Sequence, residues 1–457
     1  MFSDLKLDLL LSEDTLNVIS YYATPEDISN RAHIFSLLDD PKIRVTFEQL
    51  NAIAKKIKTA ILKTQDTDSE VLRCILFVTA VKHYCDFARI AATPIDGHFG
   101  NRFSDHFNAT VKGELALFEE RVSILYSDCS RALEFEIFIN PESASLGHIT
   151  GENFEEKLTK CAEYFGAQTE AISNDVLFDH IIERAVSEYG TLKSELDGFY
   201  KEIYDKFDTS VCKYAEETGF YLEIYSLINR IKDWGIPVCR PEINEEYGIN
   251  ATEVYDFTLV AKNEKNIVPN DITLTDTSKF CFLRGANGGG KTTYLRCVGV
   301  NTVLALCGAP AAAKSFATYD YQTIYSHFPR DERFDRGGRL NDEEARLKTI
   351  KGHADNSSLV LLNETFSTTG AKQSDEMTAE LARRIYSAGC TGIYVTHAKI
   401  DSSSDIPVLC VAVDPNDENR RTFRVEKETG SGGSFAEDIL RRYNLDKRSL
   451  SERFGEI

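Results

Sequence analysis

Four short, almost wholly apolar runs in the second half of the chain limit its fold more than any other feature. They are "KFCFLRG" (Lys279 to Gly285), "SLVLLNE" (Ser358 to Glu364), "TGIYVTH" (Thr391 to His397) and "IPVLCVAV" (Ile406 to Val413). Runs of this length without a polar face suit strands of a parallel sheet covered on both sides. Helical pattern separates several of them, as in "SDEMTAELARRIYSAG", Ser374 to Gly389, which stops at a glycine. An α/β sheet follows. Before residue 235 the chain reads differently, with sparse Gly and Pro and long helical periodicity. Ser194 to Trp234 reads as one or two long helices whose aromatic face is core packing. "RALEFEIFINPESASLGHITG", Arg131 to Gly151, alternates around a Pro/Ser/Gly turn and predicts a small β-hairpin. Gly235, Pro237 and Pro241 then mark a boundary. "GSGGS", Gly430 to Ser434, is too short to be more than a turn or brief linker.

Composition narrows the function. A chain of 457 residues predicts two to four domains, and 42% hydrophobic with 27% charged residues describes an ordinary soluble protein. Its eleven cysteines are scattered singly with no CxxC pair, which favours reduced thiols in a cytoplasmic setting over disulfides or a zinc site. The opening "MFSDLKLDLLLSEDTL" lacks the basic lead of a signal peptide, and no apolar run approaches the ~20 residues that span a bilayer. No membrane partner is expected. A net charge of −20 excludes a generally basic nucleic-acid binder, so phosphate contact needs a local positive patch. In Phe47 to Lys63, the residues Phe47, Leu50, Ile53, Ile57 and Ile61 form a core stripe. Lys55, Lys56, Lys58 and Lys63 fall largely off it and read as a solvated face.

The first apolar run feeds "GANGGGKTTYLR", Gly285 to Arg296, which satisfies G-x-x-x-x-G-K-[ST] from Gly285 to Thr292. A strand before it and a helix after it are the context this motif needs. Its glycines let backbone N–H groups turn inward around the β- and γ-phosphates of a nucleoside triphosphate. Lys291 adds a fixed charge, and Thr292 offers a hydroxyl to Mg²⁺. Gly285, Ala286, Asn287, Gly288, Gly289, Gly290, Lys291, Thr292 and Thr293 are therefore the candidate nucleotide-binding residues, with ATP and Mg²⁺ as cofactors. Glu364 ends the second apolar run, where a carboxylate can orient water towards the γ-phosphate. His397 ends the third and can position the same water or bind the γ-phosphate; Glu364 and His397 are the catalytic candidates. Asn363 stands where such hydrolases usually place a magnesium-holding Asp. Its oxygen still accepts a hydrogen bond from a metal-bound water, so metal affinity is expected to weaken without vanishing.

"IVPNDITL" (Ile267 to Leu274), "FLRGANGGGKTTYLR", "GGRLNDEEARLKTI" (Gly337 to Ile350), "SLVLLNETFSTTG" and "YVTHAKI" follow one another as in the ATPase domain of the MutS mismatch-repair family. The resemblance is strongest to its bacterial MutS-related members, in which "LNE" replaces "LDE". "YYATPEDISNRAHIFSLL", Tyr21 to Leu38, resembles the start of the family's core or lever domain. The resemblance is specific from about 265 to 400 and weaker before. It implies an α+β multidomain protein with a mostly helical N-terminal core/lever region and a C-terminal α/β P-loop ATPase domain of ABC type. The implied limits are 1–130 for the first lever part, 131–190 for a hairpin-containing clamp, 191–235 for the second lever part and 236–457 for the ATPase domain. It further implies a homodimer of ATPase domains that encloses double-stranded or branched DNA.

The resemblance assigns Thr292 to Mg²⁺, Glu364 to water activation and His397 to the histidine after the last motif strand. Gly338 to Glu344 corresponds to the signature reaching the partner's nucleotide; the family's serine is missing, with Gly338 or Asn341 nearby. Where the family stacks an aromatic residue on adenine, this chain offers Ile267. The chain begins where the core domain begins and ends soon after "GSFAEDILRRYNL", which leaves no place for the mismatch-reading domain, connector, nuclease-like appendage or helix-turn-helix tail. Usual mismatch recognition is not expected on that basis. Three classes stay open: a MutS-like ATPase acting on DNA, another ABC-superfamily ATPase, and a nucleotide-gated assembly protein with little hydrolysis or DNA contact.

Overall fold

The computed structural model describes residues 1–91, 116–132, 137–140, 143–146, 174–207, 209, 211–262, 264, 267–275, 278–329, 336–366, 371–398, 405–414 and 417–427. The "GSGGS" patch and the "GSFAEDILRRYNL" segment lie outside them. The described chain divides into two compact units, residues 37–222 and residues 1–36 with 223–457. Helices α1 (Phe2–Leu5), α2 (Glu13–Ser20) and α3 (Pro25–Leu37) open the chain.

The 37–222 unit is helical, built from α4 (Pro41–Asp66), α5 (Glu70–Ala91), α6 (Ala116–Ala132), α7 (Asn174–Glu188), α8 (Leu192–Ile203) and the first half of α9 (Val211–Asp233). The Asp40 side chain caps α4 by accepting from Lys42 N at 2.8 Å, and Pro41 supplies the preset first turn. Phe47, Leu50, Ile57 and Ile61 of the expected stripe are buried. Ile53 is only half-buried, because Ala54 takes the inward position between Leu50 and Ile57. Lys55, Lys56 and Lys63 are exposed, and Lys58 pairs with Glu216 at 2.9 Å. Of the aromatic face, Phe199 of α8 and Phe220 and Tyr221 of α9 are buried, and Phe77 sits amid Phe199, Tyr200, Tyr204 and Phe207, with ring centroids 5.2–6.1 Å away. The predicted hairpin is present as β1 (Ile137–Asn140) paired antiparallel with β2 (Ser143–Leu146); the rest of 131–173 lies mostly outside the described residues.

The other unit holds two mixed sheets. The larger contains β6 (Phe280–Arg284), β8 (Thr323–His327), β9 (Ser358–Asn363), β10 (Thr391–Val395), β11 (Val408–Asp414) and β12 (Asp417–Lys427), in the order β12-β11-β6-β10-β9-β8. All four apolar runs lie in it as parallel neighbours, and only β12 runs antiparallel. Every residue of β9 and β10 is buried, which explains why neither run has a polar face. Phe280, Phe282, Val360, Leu362 and Tyr394 pack with Leu381 and Ile385 of the helix Ala371–Ser387, which stops before Gly389 in the left-handed region (φ +77°). The helix Lys291–Leu306 also packs on this sheet, meeting β9 where Gly299 approaches Leu361.

The smaller sheet was not expected. It orders β3 (Glu242–Asn244), β7 (Ser315–Tyr319), β4 (Gly248–Val254) and β5 (Asn270–Thr275) as β3-β7-β4-β5. β5 buries only Ile272 and Leu274, between polar neighbours, and β7 only Phe316 and Thr318. Such strands carry too little apolar pattern to stand out. Helix α10 (Phe257–Ala261) lies between β4 and β5 in sequence; α11 (Lys291–Leu306) follows β6, α12 (Arg336–His353) follows β8 and α13 (Ala371–Ser387) follows β9.

Candidate functional site

The glycine motif lies where the sequence places it, between the end of β6 and the first turn of α11. Gly290 precedes α11 with φ +96°, a conformation that strains any residue bearing a Cβ, and a Cβ there would stand 3.2 Å from the Phe423 ring. At Gly285 a Cβ would come within 2.8 Å of Val411, so the loop hugs β11 only because that atom is missing. Asn287 and Gly288 are exposed at the tip, whereas Gly289 is buried and Ala286, Thr292 and Thr293 are half-buried.

Lys291 is 5% exposed, and its Nζ donates to Gly285 O at 2.8 Å and Ala286 O at 3.3 Å. Burial pushes its ammonium below the ordinary lysine range, and the Glu364 carboxylate, 3.8 Å away, opposes that shift. Strand adjacency does the rest. Because β9 pairs with β10 in register, Glu364 and His397 emerge from neighbouring strand ends, and Glu364 N donates to Val395 O at 2.9 Å. His397 Nε2 lies 3.1 Å from Glu364 Oε1 and 3.4 Å from Lys291 Nζ. That contact is the main cause holding the Glu364 carboxyl below its ordinary range. Glu364 has φ +45°, a left-handed backbone that costs a non-glycine residue roughly 1–2 kcal/mol. Such strain collects where a side chain must be aimed.

Beneath this trio, Thr292 Oγ1 donates to Asn363 Oδ1 at 3.4 Å, and Asn363 is 7% exposed. The two metal candidates are therefore adjacent. Among the described residues no group of three or more His, Cys, Asp or Glu is placed to hold a metal, so any ion here relies on hydroxyl, amide and water. Gly338 and Asn341 fall in the first two turns of α12.

A cavity of about 480 Å³ opens beside the loop, bounded by Gly288, Gly290, Lys291, Thr292 and Glu364 on one side. Ile267, Val268 and Phe423 line its apolar part. Ile267 thus lines the cavity, as does Phe423 on β12, which was not foreseen. Its backbone is left-handed (φ +59°), and the Asn270 side chain donates to Phe423 O at 3.0 Å and accepts from Val425 N at 2.7 Å. Asn270 thereby imitates a strand neighbour and holds Phe423 at the cavity. Arg421, also on β12, is near enough for its charge to lower the Lys291 pKa. Nothing in "RTFRVEK" marks either residue, because β12 reaches the loop only through its pairing with β11.

The fold and this junction define an α+β multidomain protein with a strand–glycine loop–helix turn opening on a cavity beside a Glu–His pair. No protein-family model matches the chain. It is 21% identical over 426 residues to the DNA mismatch repair protein MutS of Aquifex pyrophilus, a match covering 89% of this chain and 48% of that protein. Over 144 residues it is 33% identical to the DNA mismatch repair protein MutS 2 of Halobacterium salinarum, covering 30% of this chain and 16% of that one. Over 201 residues it is 24% identical to the Endonuclease MutS2 of Geobacillus kaustophilus, covering 43% and 26%. The chain spans about half the length of the first of these relatives, and the other two matches take in smaller shares. The chain is thus similar to proteins named MutS and MutS2, to the first of them over most of its own length.

Proposed function

We propose that this protein is a MutS-like ATPase of the ABC type. It binds ATP and Mg²⁺ at Gly285–Thr293, dimerises through its ATPase domains, and couples nucleotide binding and hydrolysis to holding duplex or branched DNA in repair or recombination. The observation that carries the proposal is the convergence of Lys291, Glu364 and His397 with the Thr292–Asn363 pair, of which Lys291, Thr292 and Glu364 line the cavity.

The residues fit the cofactors. Lys291 now bonds loop carbonyls, which a triphosphate would replace as its partner. Thr292 and Asn363 would hold Mg²⁺, Thr292 directly and Asn363 through water; a bound ion would supply charge neutralisation of the phosphates. Glu364 orients the attacking water and accepts its proton, and the 3.1 Å contact with His397 fixes its carboxylate. Ile267, Val268 and Phe423 offer apolar surface to the base. The domain reading attached to this proposal is 236–457 for the ATPase domain, 1–130 and 191–235 for the levers, and 131–190 for a clamp, with Gly338 or Asn341 reaching the partner's nucleotide. A cytoplasmic site of action belongs to the same proposal.

Asn363 supports a second reading, in which weak metal binding leaves a nucleotide-gated assembly protein with little hydrolysis. Binding of a fluorescent ATP analogue to the parent and to Lys291→Ala tests the site itself: the parent binds and the folded variant loses tight binding. Undiminished affinity in Lys291→Ala removes the phosphate-loop reading. Salt-dependent binding to duplex and branched DNA, with and without ATP, then separates the two readings.

A further inference from the structure

Asp4 is a carboxylate only 6% exposed, set in a four-residue helix at the start of the described chain. A buried charge is costly unless it is paired and hydrogen-bonded. Its Oδ2 accepts from Arg346 of α12 and, at 2.7 Å, from Ser326 Oγ of β8. Arg346 also donates to Ser326 O at 2.8 Å. The main-chain carbonyl of Asp4 accepts from Arg296 Nε of α11 at 3.1 Å. Its neighbour Leu5 is fully buried against Gly299, where a Cβ would stand 2.6 Å from Leu5 and 2.8 Å from Leu361 of β9. Two adjacent residues therefore touch α11 at two points, β8 and α12.

We propose that Asp4 is a positioning residue of the nucleotide cycle, tying the helix that begins at Lys291 to the helix that carries Gly338 and Asn341. The inference rests on the proposed function of that site. Arg296 lies on the helix whose first residue is Lys291, and Arg346 lies on the helix that holds Asn341 in its second turn. A helix is stiff along its axis, so a shift of the first turn of α11 towards phosphate is carried to Arg296 and hence to Asp4. From Asp4 the shift reaches α12 through a charge pair, which resists stretching more than a neutral contact does. Beside this pair, His327 is 1% exposed, and among the described residues neither of its ring nitrogens has a hydrogen-bond partner. The cluster thus contains an unused polar group that Arg346 or Asp4 can engage if α12 moves, which is what a two-position element requires.

The test uses the full chain in a Glu364→Gln background, with ATP affinity and ATP-driven dimerisation measured separately. Asp4→Asn keeps the shape and removes the charge. It is expected to bind ATP within about two-fold of its background but to need roughly tenfold more protein to dimerise, a coupling of ordinary allosteric size. Arg346→Gln should do the same, the double variant should be no worse than either single one, and Asp4→Glu should recover part of the loss. If Asp4→Asn does not fold, Ser326→Ala removes one bond to the same carboxylate and should shift dimerisation in the same direction by less. Unchanged dimerisation overturns the inference, as does a fall in ATP affinity that matches the fall in dimerisation, since that marks a merely structural role. If the Glu364→Gln background itself binds no ATP, the proposed function falls, and the role of Asp4 falls with it.

Discussion

Replacing Asn363 by Asp tests the metal side of the site with an almost isosteric change. Asn363 is 7% exposed, and its Oδ1 accepts from Thr292 at 3.4 Å. Asp keeps that acceptor and the volume but puts a charge where an amide stood. Without metal the buried carboxylate is imperfectly satisfied, at a cost of about 1–3 kcal/mol. For domains of this size each kcal/mol shifts the thermal midpoint by roughly 2–4 °C, so a drop of several degrees is expected in metal-free buffer. Mg²⁺ together with ADP then pairs with the charge and restores much of the loss. In turnover assays half-activation moves to lower Mg²⁺, by about tenfold for each 1.4 kcal/mol of added ion binding, with the rate equal or faster. Thermal unfolding with and without Mg²⁺–ADP, alongside an ATPase titration in Mg²⁺, reads both effects. If the variant unfolds at the parent's temperature in every buffer and its Mg²⁺ dependence is unmoved, Asn363 does not face the metal.

Glu364→Ala should cut ATP turnover by about 10²-fold or more while leaving ATP binding in place, because it removes water positioning and proton acceptance together; parent-like turnover would show the carboxylate to be a bystander. Burial lowers the His327 pKa from the ordinary 6.5 to about 4, so below pH 6.5 the unfolded chain takes up a proton that the folded one refuses. Stability should accordingly fall as pH drops from about 6.5 to about 4, by up to roughly 3 kcal/mol, and His327→Phe should flatten that slope in urea titrations; an equal slope in the variant would place the origin elsewhere. Burial raises the thiols of Cys281 and Cys307 to about 12, so both should resist alkylation at pH 8 until the chain unfolds, as mass spectrometry of the labelled peptides would report. Labelling of either one in the folded protein would contradict its burial.

The parts of this molecule legible in its sequence are those where one local pattern decides the outcome. The runs that became β6, β9, β10 and β11 could be read because central strands are apolar on both faces, and the glycine loop because its residues carry their chemistry at fixed spacing. The meeting of Glu364 and His397 needed the β9–β10 pairing, although each strand end was already marked by its polar residue. Phe423 left no local sign, since its place depends on β12 folding back on β11 and on Asn270, 153 residues away, holding its backbone. Asp4 was hidden more thoroughly: an acidic residue among N-terminal leucines looks solvated, and only Arg346 and Ser326, more than 300 residues on, account for its burial.

Under the proposed function, ATP closes two copies of this chain around shared nucleotide sites. Sedimentation of the Glu364→Gln variant tests it most directly, because stalled hydrolysis should let the closed form accumulate. With ATP and Mg²⁺ at micromolar protein a dimer is expected that reverts to monomer when the nucleotide is removed. A monomer at every concentration, with ATP demonstrably bound, would contradict it.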